Sequence, residues 1–171
     1  MSTEPAPPGT RDTIHATCVV IGEAGVLIRG VAGAGKSSLA RALIAGAGLT
    51  GKLGALVGDD RVRVAAVNGR LVARPHPVIA GLIEIRGHGI VAVEAVPACV
   101  VRLVVDLQEA GPRLPETPAS DAAILGIRLP RLAIDRASRE AGLAALLVLA
   151  AASVSSQPHT RVHDGPDGAR P

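Results

Sequence analysis

The eight residues from Gly30 to Ser37 read G-x-x-x-x-G-K-S, and this pattern constrains the chain more than any other part of it. The apolar run Val26, Leu27, Ile28 stands directly before it. The segment Ser38 to Ile44, rich in Ala, Leu and Arg, stands directly after it and favours a helix. Strand, glycine loop and helix is the order that a phosphate-binding loop (Walker A) needs. Its glycines let successive backbone N–H groups turn towards one anion, and the positive end of the helix dipole adds to their field. Gly30, Val31, Ala32, Gly33, Ala34, Gly35, Lys36, Ser37 and Ser38 are therefore the expected nucleotide-binding set. Lys36 reaches the outer phosphates and the Ser37 hydroxyl takes a place on Mg²⁺. With 20 glycines in 171 residues a chance match is conceivable, but the only lysines are Lys36 and Lys52, and one falls at the required place.

The length suits one compact domain, expected over residues 14–153 with disordered tails at 1–13 and 154–171. Phe, Trp and Tyr are all absent, so Val, Leu, Ile and Ala must fill the core. A bound adenine would then rest on aliphatic side chains, with the phosphates supplying most of the affinity. The missing rings argue against single-stranded nucleic-acid binding, which relies on stacking. A net charge of +3 without a Lys/Arg stripe gives no other reason to expect nucleic acid. Cys18 and Cys99 lack C-x-x-C spacing and read as small buried hydrophobes in a reducing compartment. The first ten residues have neither the basic nor the apolar region of a signal peptide, and the apolar stretch Leu143 to Ala152 is too short to span a bilayer. A cytoplasmic protein without membrane contact is the expectation.

Thr17 to Ile21 and Val26 to Ile28 read as adjacent short strands, and Ser37 to about Ala47 as a helix ended by Gly46 and Gly48. Ala55 to Val57 is a buried strand that delivers Asp59 and Asp60 at its end. Val62 to Val67, Asn68-Gly69 and Leu71 to Ala73 form a tight hairpin. Further strands are expected at 83–85, 90–93, 98–107 and 124–134, the last interrupted by Pro130. Gln108 to Ser120, with three prolines, is a loop, and Ser138 caps a closing helix from Arg139 to about Ala152. Many strands and few helices exclude a doubly wound parallel sheet. The expected fold is α/β, a mixed β-rich core carrying a phosphate loop and few flanking helices.

Phosphoryl transfer needs metal ligands, positive charge and a group that handles the proton of the nucleophile. Asp59 and Asp60 follow a buried strand, and on extended backbone only one of them faces the phosphate. Glu84, Arg86 and His88 stand among glycines in an otherwise apolar stretch. Glu84 can complete a Mg²⁺ shell with Ser37, and Arg86 can pair with phosphate or fix Glu84. His88 is weak on its own, and His76 has no assigned role.

Four ordered blocks then resemble the catalytic domain of bacterial HPr kinase/phosphorylase, in the short form without the separate N-terminal domain. They are His15 leading into Cys18 to Ile21, the loop Gly30 to Ser38, Leu56 to Val62 with its Asp-Asp, and Ile83 to Ile90 with its Glu-Ile-Arg-Gly. The resemblance covers about residues 14 to 107. It implies the HPr kinase and PEP carboxykinase type of nucleotide-binding core, and ATP-dependent phosphorylation of a serine on HPr or an HPr-like phosphocarrier of the phosphotransferase system. It also implies phosphorolysis, in which inorganic phosphate attacks the phosphoserine and pyrophosphate leaves. Asp59 is implied as base towards the serine and acid in the reverse direction, and Asp60 as the holder of neighbouring positive groups. His15 is implied near the phosphates, and Ser37 and Glu84 share Mg²⁺. Arg131, in Leu129-Pro-Arg131-Leu132, is the nearest equivalent of a phosphorolysis arginine, without the Gly and Asn that flank it in the family. Members form hexamers through this domain, so a homo-oligomer is implied. Two alternatives stand beside the kinase: a non-catalytic ATP- or phosphate-sensing partner of the phosphocarrier, and another P-loop small-molecule kinase.

Overall fold

A computed structural model describes residues 11–109 and 121–138, together with Gly142 and Ala145. Strands β1 (Arg11–Ile14), β2 (Ala16–Ile21) and β3 (Ala24–Arg29) lead through the glycine loop into α1 (Lys36–Leu49). Next come β4 (Gly54–Gly58), β5 (Val62–Val67), β6 (Arg70–Pro75), a 3-10 turn at Pro77–Ile79, β7 (Leu82–Ile85), β8 (Gly89–Ala92) and β9 (Cys99–Gln108). The last described strands are β10 (Ala122–Ile124), β11 (Ile127–Leu129) and β12 (Arg131–Asp135).

Eight strands form one mixed sheet in the order β1-β5-β6-β9-β3-β2-β4, with β12 also pairing β9. The ends of this path are joined through the chain itself. His15 alone separates β1 from β2, and three residues, Asp59 to Arg61, separate β4 from β5. β1 pairs antiparallel with β5 from Arg11↔Ala65 to Ile14↔Val62, and the same register resumes at Cys18↔Gly58 between β2 and β4. One long bent pair thus closes the sheet on itself; it is interrupted where His15 to Thr17 face Asp59 to Arg61, and its register shifts by one just beyond, between Cys18 and Val19. That interruption is the place of the site.

Alternation along the strands makes two cores. Val19, Ile21, Val26, Ile28, Leu56, Leu103 and Val105 face α1, whose Leu39, Ala40, Leu43 and Ala47 recur at helical spacing. Cys18, Val20, Leu27, Val57, Val64, Leu71 and Val104 fill the inside of the curl, closed by Ile124 and Leu129 of the β10–β11 hairpin. Val93 N to Gly81 O, 2.9 Å, closes the open end of the β7–β8 hairpin, and the residues that follow it bond the edge of β4 through Leu56 N to Glu94 O, 3.3 Å, and Val96 N to Leu56 O, 2.8 Å. The hairpin packs against α1 and carries Glu84 over the end of β4.

Several local expectations shift. Arg11 to Thr13, expected in a tail, are strand because the edge of β5 offers them a ladder. α1 runs through Gly46 and Gly48 to Leu49, since Thr50 closes the last turn by bonding Ala47 O through both its amide, at 3.0 Å, and its hydroxyl, at 2.9 Å. The single strand expected at 124–134 is three, because Leu125 and Gly126 both take positive φ and turn the chain back. The hairpin at Asn68-Gly69 is present, with φ of 48° and 71°. Cys18 and Cys99 are not isolated: their sulfurs lie 3.7 Å apart inside the curl, both as free thiols. The Cys99 thiol and burial together push the Cys18 thiol well above its ordinary value. Apart from Gly142 and Ala145, both helical, the closing helix expected at 139–152 lies outside the described residues, as do the tail beyond it, residues 1–10 and most of the 108–120 loop. No described helix is long and apolar enough to cross a membrane.

Candidate active site

A cleft of about 280 Å³ opens at the N-terminus of α1, at the low end for small-molecule sites. It is lined by His15 from the β1–β2 bend, by the glycine loop and first turn of α1, by Asp59 and Asp60 after β4, and by Glu84 and Arg86 from the β7–β8 hairpin. Of the residues expected in the site, His15, Lys36, Ser37, Ser38, Asp59, Asp60 and Glu84 therefore meet in one place. Ala32, Gly33 and Gly35 line it too, while Gly30, Val31 and Ala34 build the loop from behind.

The loop geometry follows from its glycines. Gly35 is the N-cap of α1 in the left-handed conformation, φ 97°, and offers no side chain to the helix amides, which leaves them available to an anion. Gly30 lies so close to β9 that a Cβ would stand 2.9 Å from Leu107 O. Lys36 folds back along the loop. Its ammonium donates to Gly30 O at 3.0 Å and Val31 O at 3.1 Å, and lies 3.0 Å from His15 Nε2. Burial lowers the pKa of Lys36, against the raising influence of Asp60 and Asp59.

Asp59 is buried and surrounded by donors. Its Oδ1 accepts from Thr17 Oγ1 at 2.6 Å and Ser37 Oγ at 2.9 Å. Its Oδ2 takes Ser37 Oγ at 3.1 Å and the Glu84 amide at 3.2 Å. Asp60 is exposed and turned by a positive φ of 62°, with Arg61 N bonding Asp59 O at 2.7 Å. This i to i+2 turn breaks the strand alternation, so both carboxylates reach the cleft rather than one. His15 Nδ1 stands 3.1 Å from both Asp60 Oδ1 and Asp60 O. The imidazole bridges Asp60 and Lys36.

Arg86 crosses the loop so closely that a Cβ on Gly33 would lie 3.1 Å from its Nη2. His88 does not line the cleft. Neither does Arg131. Its Nε bonds Asp106 Oδ2. Arg29 grips the same carboxylate with Nε to Oδ1 at 2.7 Å and Nη2 to Oδ2 at 2.8 Å. Arg41 lines the cleft, and Thr17 stands buried behind it on Asp59; the spacing of the sequence pointed to neither. Thr17 was legible as a hydroxyl inside the apolar run Ala16 to Ile21.

Among the described residues no three His, Cys, Asp or Glu side chains form a self-sufficient metal site. Ser37 from α1 and Glu84 from the β7–β8 hairpin both line the cleft and bring hard oxygen donors to it. That donor set suits Mg²⁺, which keeps water and phosphate oxygens beside one or two protein ligands.

A closed β-rich sheet with a glycine loop ahead of its long helix, and two carboxylates at a ladder break beside it, defines an α/β domain with an anion-binding cleft at the helix N-terminus. The chain belongs to the family described as HPr Serine kinase C-terminal domain, whose profile matches residues 9–137. It is similar to an HPr kinase/phosphorylase of Mycoplasma mycoides subsp. mycoides SC, 41% identical over 76 residues, which is 44% of this chain and 22% of that protein. It is similar to another of Clostridium beijerinckii, 38% identical over 87 residues, 50% of this chain and 26% of that protein. The matches thus span about a quarter of the length of these curated relatives. The solved Hpr(Ser) kinase/phosphatase from Coxiella burnetii shares the fold with a TM-score of 0.70 at 29% identity, over 84% of this chain and 92% of that one. The expected β-rich architecture with few helices agrees with that fold.

Proposed function

We propose that this domain is an ATP- and Mg²⁺-dependent protein kinase that phosphorylates a serine of HPr or an HPr-like phosphocarrier, and that it also phosphorolyses the phosphoserine. The observation that carries this reading is the meeting of Lys36, Ser37, Asp59 and Glu84 in one cleft at the N-terminus of α1, in a chain of this family. The loop amides and Lys36 bind the polyphosphate. Ser37 and Glu84 would hold Mg²⁺, which would supply positive charge against the negative charge of the phosphates. Ser37 turns away from Asp59 to do so and opens a lone-pair direction on that carboxylate. Asp59 then accepts the proton of the serine hydroxyl as its oxygen attacks the terminal phosphorus and the bond to the diphosphate breaks. In phosphorolysis inorganic phosphate attacks the phosphoserine, pyrophosphate forms, and Asp59 returns the proton to the serine oxygen. Asp60 orients His15, and His15 orients Lys36. Arg131 has no substrate contact in this scheme, because Asp106 holds its guanidinium. Homo-oligomer formation belongs to the same proposal and is read by light scattering.

The test is intact-mass spectrometry of an HPr-type carrier incubated with the protein and Mg·ATP, beside Asp59→Asn. One added phosphate on serine, slowed about 10²- to 10⁴-fold in the variant with Mg·ATP binding retained, is the expected result. An unmodified carrier with ATP bound would overturn it in favour of a nucleotide-sensing partner.

A further inference from the structure

Thr17 sits at the break in the β2–β4 ladder with 0% of its surface exposed. The buried polar side chains among the described residues are Thr17, Lys36 and Asp59, and all three belong to this one corner of the molecule. Strand alternation puts Thr17 on the face shared by Val19 and Ile21, which pack against the helix side of the sheet. An aliphatic residue would satisfy that face. A hydroxyl there is unfavourable unless it is bonded, and its bond goes to Asp59 Oδ1 at 2.6 Å.

We infer that Thr17 is the positioning residue of Asp59, fixing the carboxylate for proton transfer. The inference rests on the role proposed above for Asp59. Four contacts hold Asp59, and two of them come from the Ser37 hydroxyl. Once Ser37 turns to the metal, the Thr17 hydroxyl on Oδ1 and the Glu84 amide on Oδ2 are the remaining donors named here. They approach different oxygens from different elements, so together they set both the tilt and the rotation of the carboxylate. The Glu84 amide cannot be removed by a side-chain change. Thr17 can. Its deletion leaves Oδ1 free to swing, and a displacement of about 1 Å in a reacting group is enough to slow transfer about 100-fold.

The experiment compares kcat, KM for Mg·ATP and melting temperature across wild type, Thr17→Val and Thr17→Ser with an HPr-type carrier. Val keeps the branched shape and drops the hydroxyl, while Ser keeps the hydroxyl. Expected is a kcat about 10- to 100-fold lower in Thr17→Val. Its KM should stay within about threefold, its melting temperature should not fall, and Thr17→Ser should restore kcat to near the wild-type value. If Thr17→Val does lower the melting temperature, Thr17→Ala is compared with Thr17→Ser to make the same deletion without the added methyl. A Thr17→Val enzyme with wild-type kcat overturns the inference, as does a Thr17→Ser enzyme as slow as Thr17→Val. A wild-type protein that transfers no phosphate sinks the functional proposal and this inference with it, and that result is read before any variant is made.

Discussion

Lys36 holds its ammonium on two loop carbonyls and on His15 Nε2, so a phosphate oxygen has only to displace the imidazole. Because burial lowers the pKa of Lys36 from the usual 10.5, its charge is lost at a lower pH than that of an exposed lysine. Affinity for Mg·ATP should therefore be full near neutrality and begin to fall, as pH rises, before 10.5 is reached. Titration calorimetry across an alkaline pH series checks this, and a Lys36→Arg protein that shows the same fall would place its cause elsewhere. Glu84→Gln keeps the amide that bonds Asp59 but loses a charged oxygen donor. It should raise the Mg²⁺ concentration for half-maximal transfer about tenfold, roughly 1.4 kcal/mol, and an unchanged Mg²⁺ titration counts against the ligand role. At this scale the sequence displayed what lies in contiguous spacing: the loop, Lys36, Ser37 and the Asp-Asp pair. It did not display that both aspartates reach the cleft, because that depends on a positive φ at Asp60, a conformation costing about 1 kcal/mol that only the closed sheet enforces. Nor could spacing show that Arg131 would be taken up by a carboxylate 25 residues earlier.

The ends of β3, β9 and β12 are fastened together by Asp106, whose carboxylate receives Arg29 and Arg131, and Arg29 is the residue before the glycine loop. Burial alone would raise the pKa of Asp106, but the hydrogen bonds from Arg29 and Arg131 outweigh it and leave the group below the usual 3.8. A carboxylate with a depressed folded value contributes stability above its unfolded value and loses that contribution as pH falls through the folded one. Asp106→Asn should cost about 2 kcal/mol at neutral pH, and the gap to wild type should narrow as pH descends below 3.8. Urea unfolding across that series measures it, and a gap independent of pH would mean that the ion pairs are not its source. Elements whose cause is local were legible: the Asn68-Gly69 hairpin follows from two residues that tolerate positive φ. Elements whose cause is distant were not. β1 is strand because of β5, and Leu125 turns because the β10–β11 hairpin closes the inner core.

Among the described residues, the cleft offers charge and backbone suited to phosphates and little suited to a base. Selecting among purines takes a pocket wall or polar groups placed on the ring edge. The described cleft residues are glycines, one alanine, serines and ionisable side chains, and the chain has no aromatic residue to stack on a base. Most of the large aliphatic side chains of the sheet are committed to the two cores, one against α1 and one inside, and the exposed Val31, Val67 and Ile90 are not among the residues lining the cleft. On the proposed function, binding free energy should then come from the triphosphate, which is the same in ATP and GTP. Their KM values for transfer to the carrier should differ by less than about tenfold, within roughly 1.4 kcal/mol. Steady-state phosphorylation with each nucleotide at matched Mg²⁺ checks this. A preference beyond about 100-fold would require a base-reading surface outside the described cleft, and crosslinking with a photoreactive purine would then locate it.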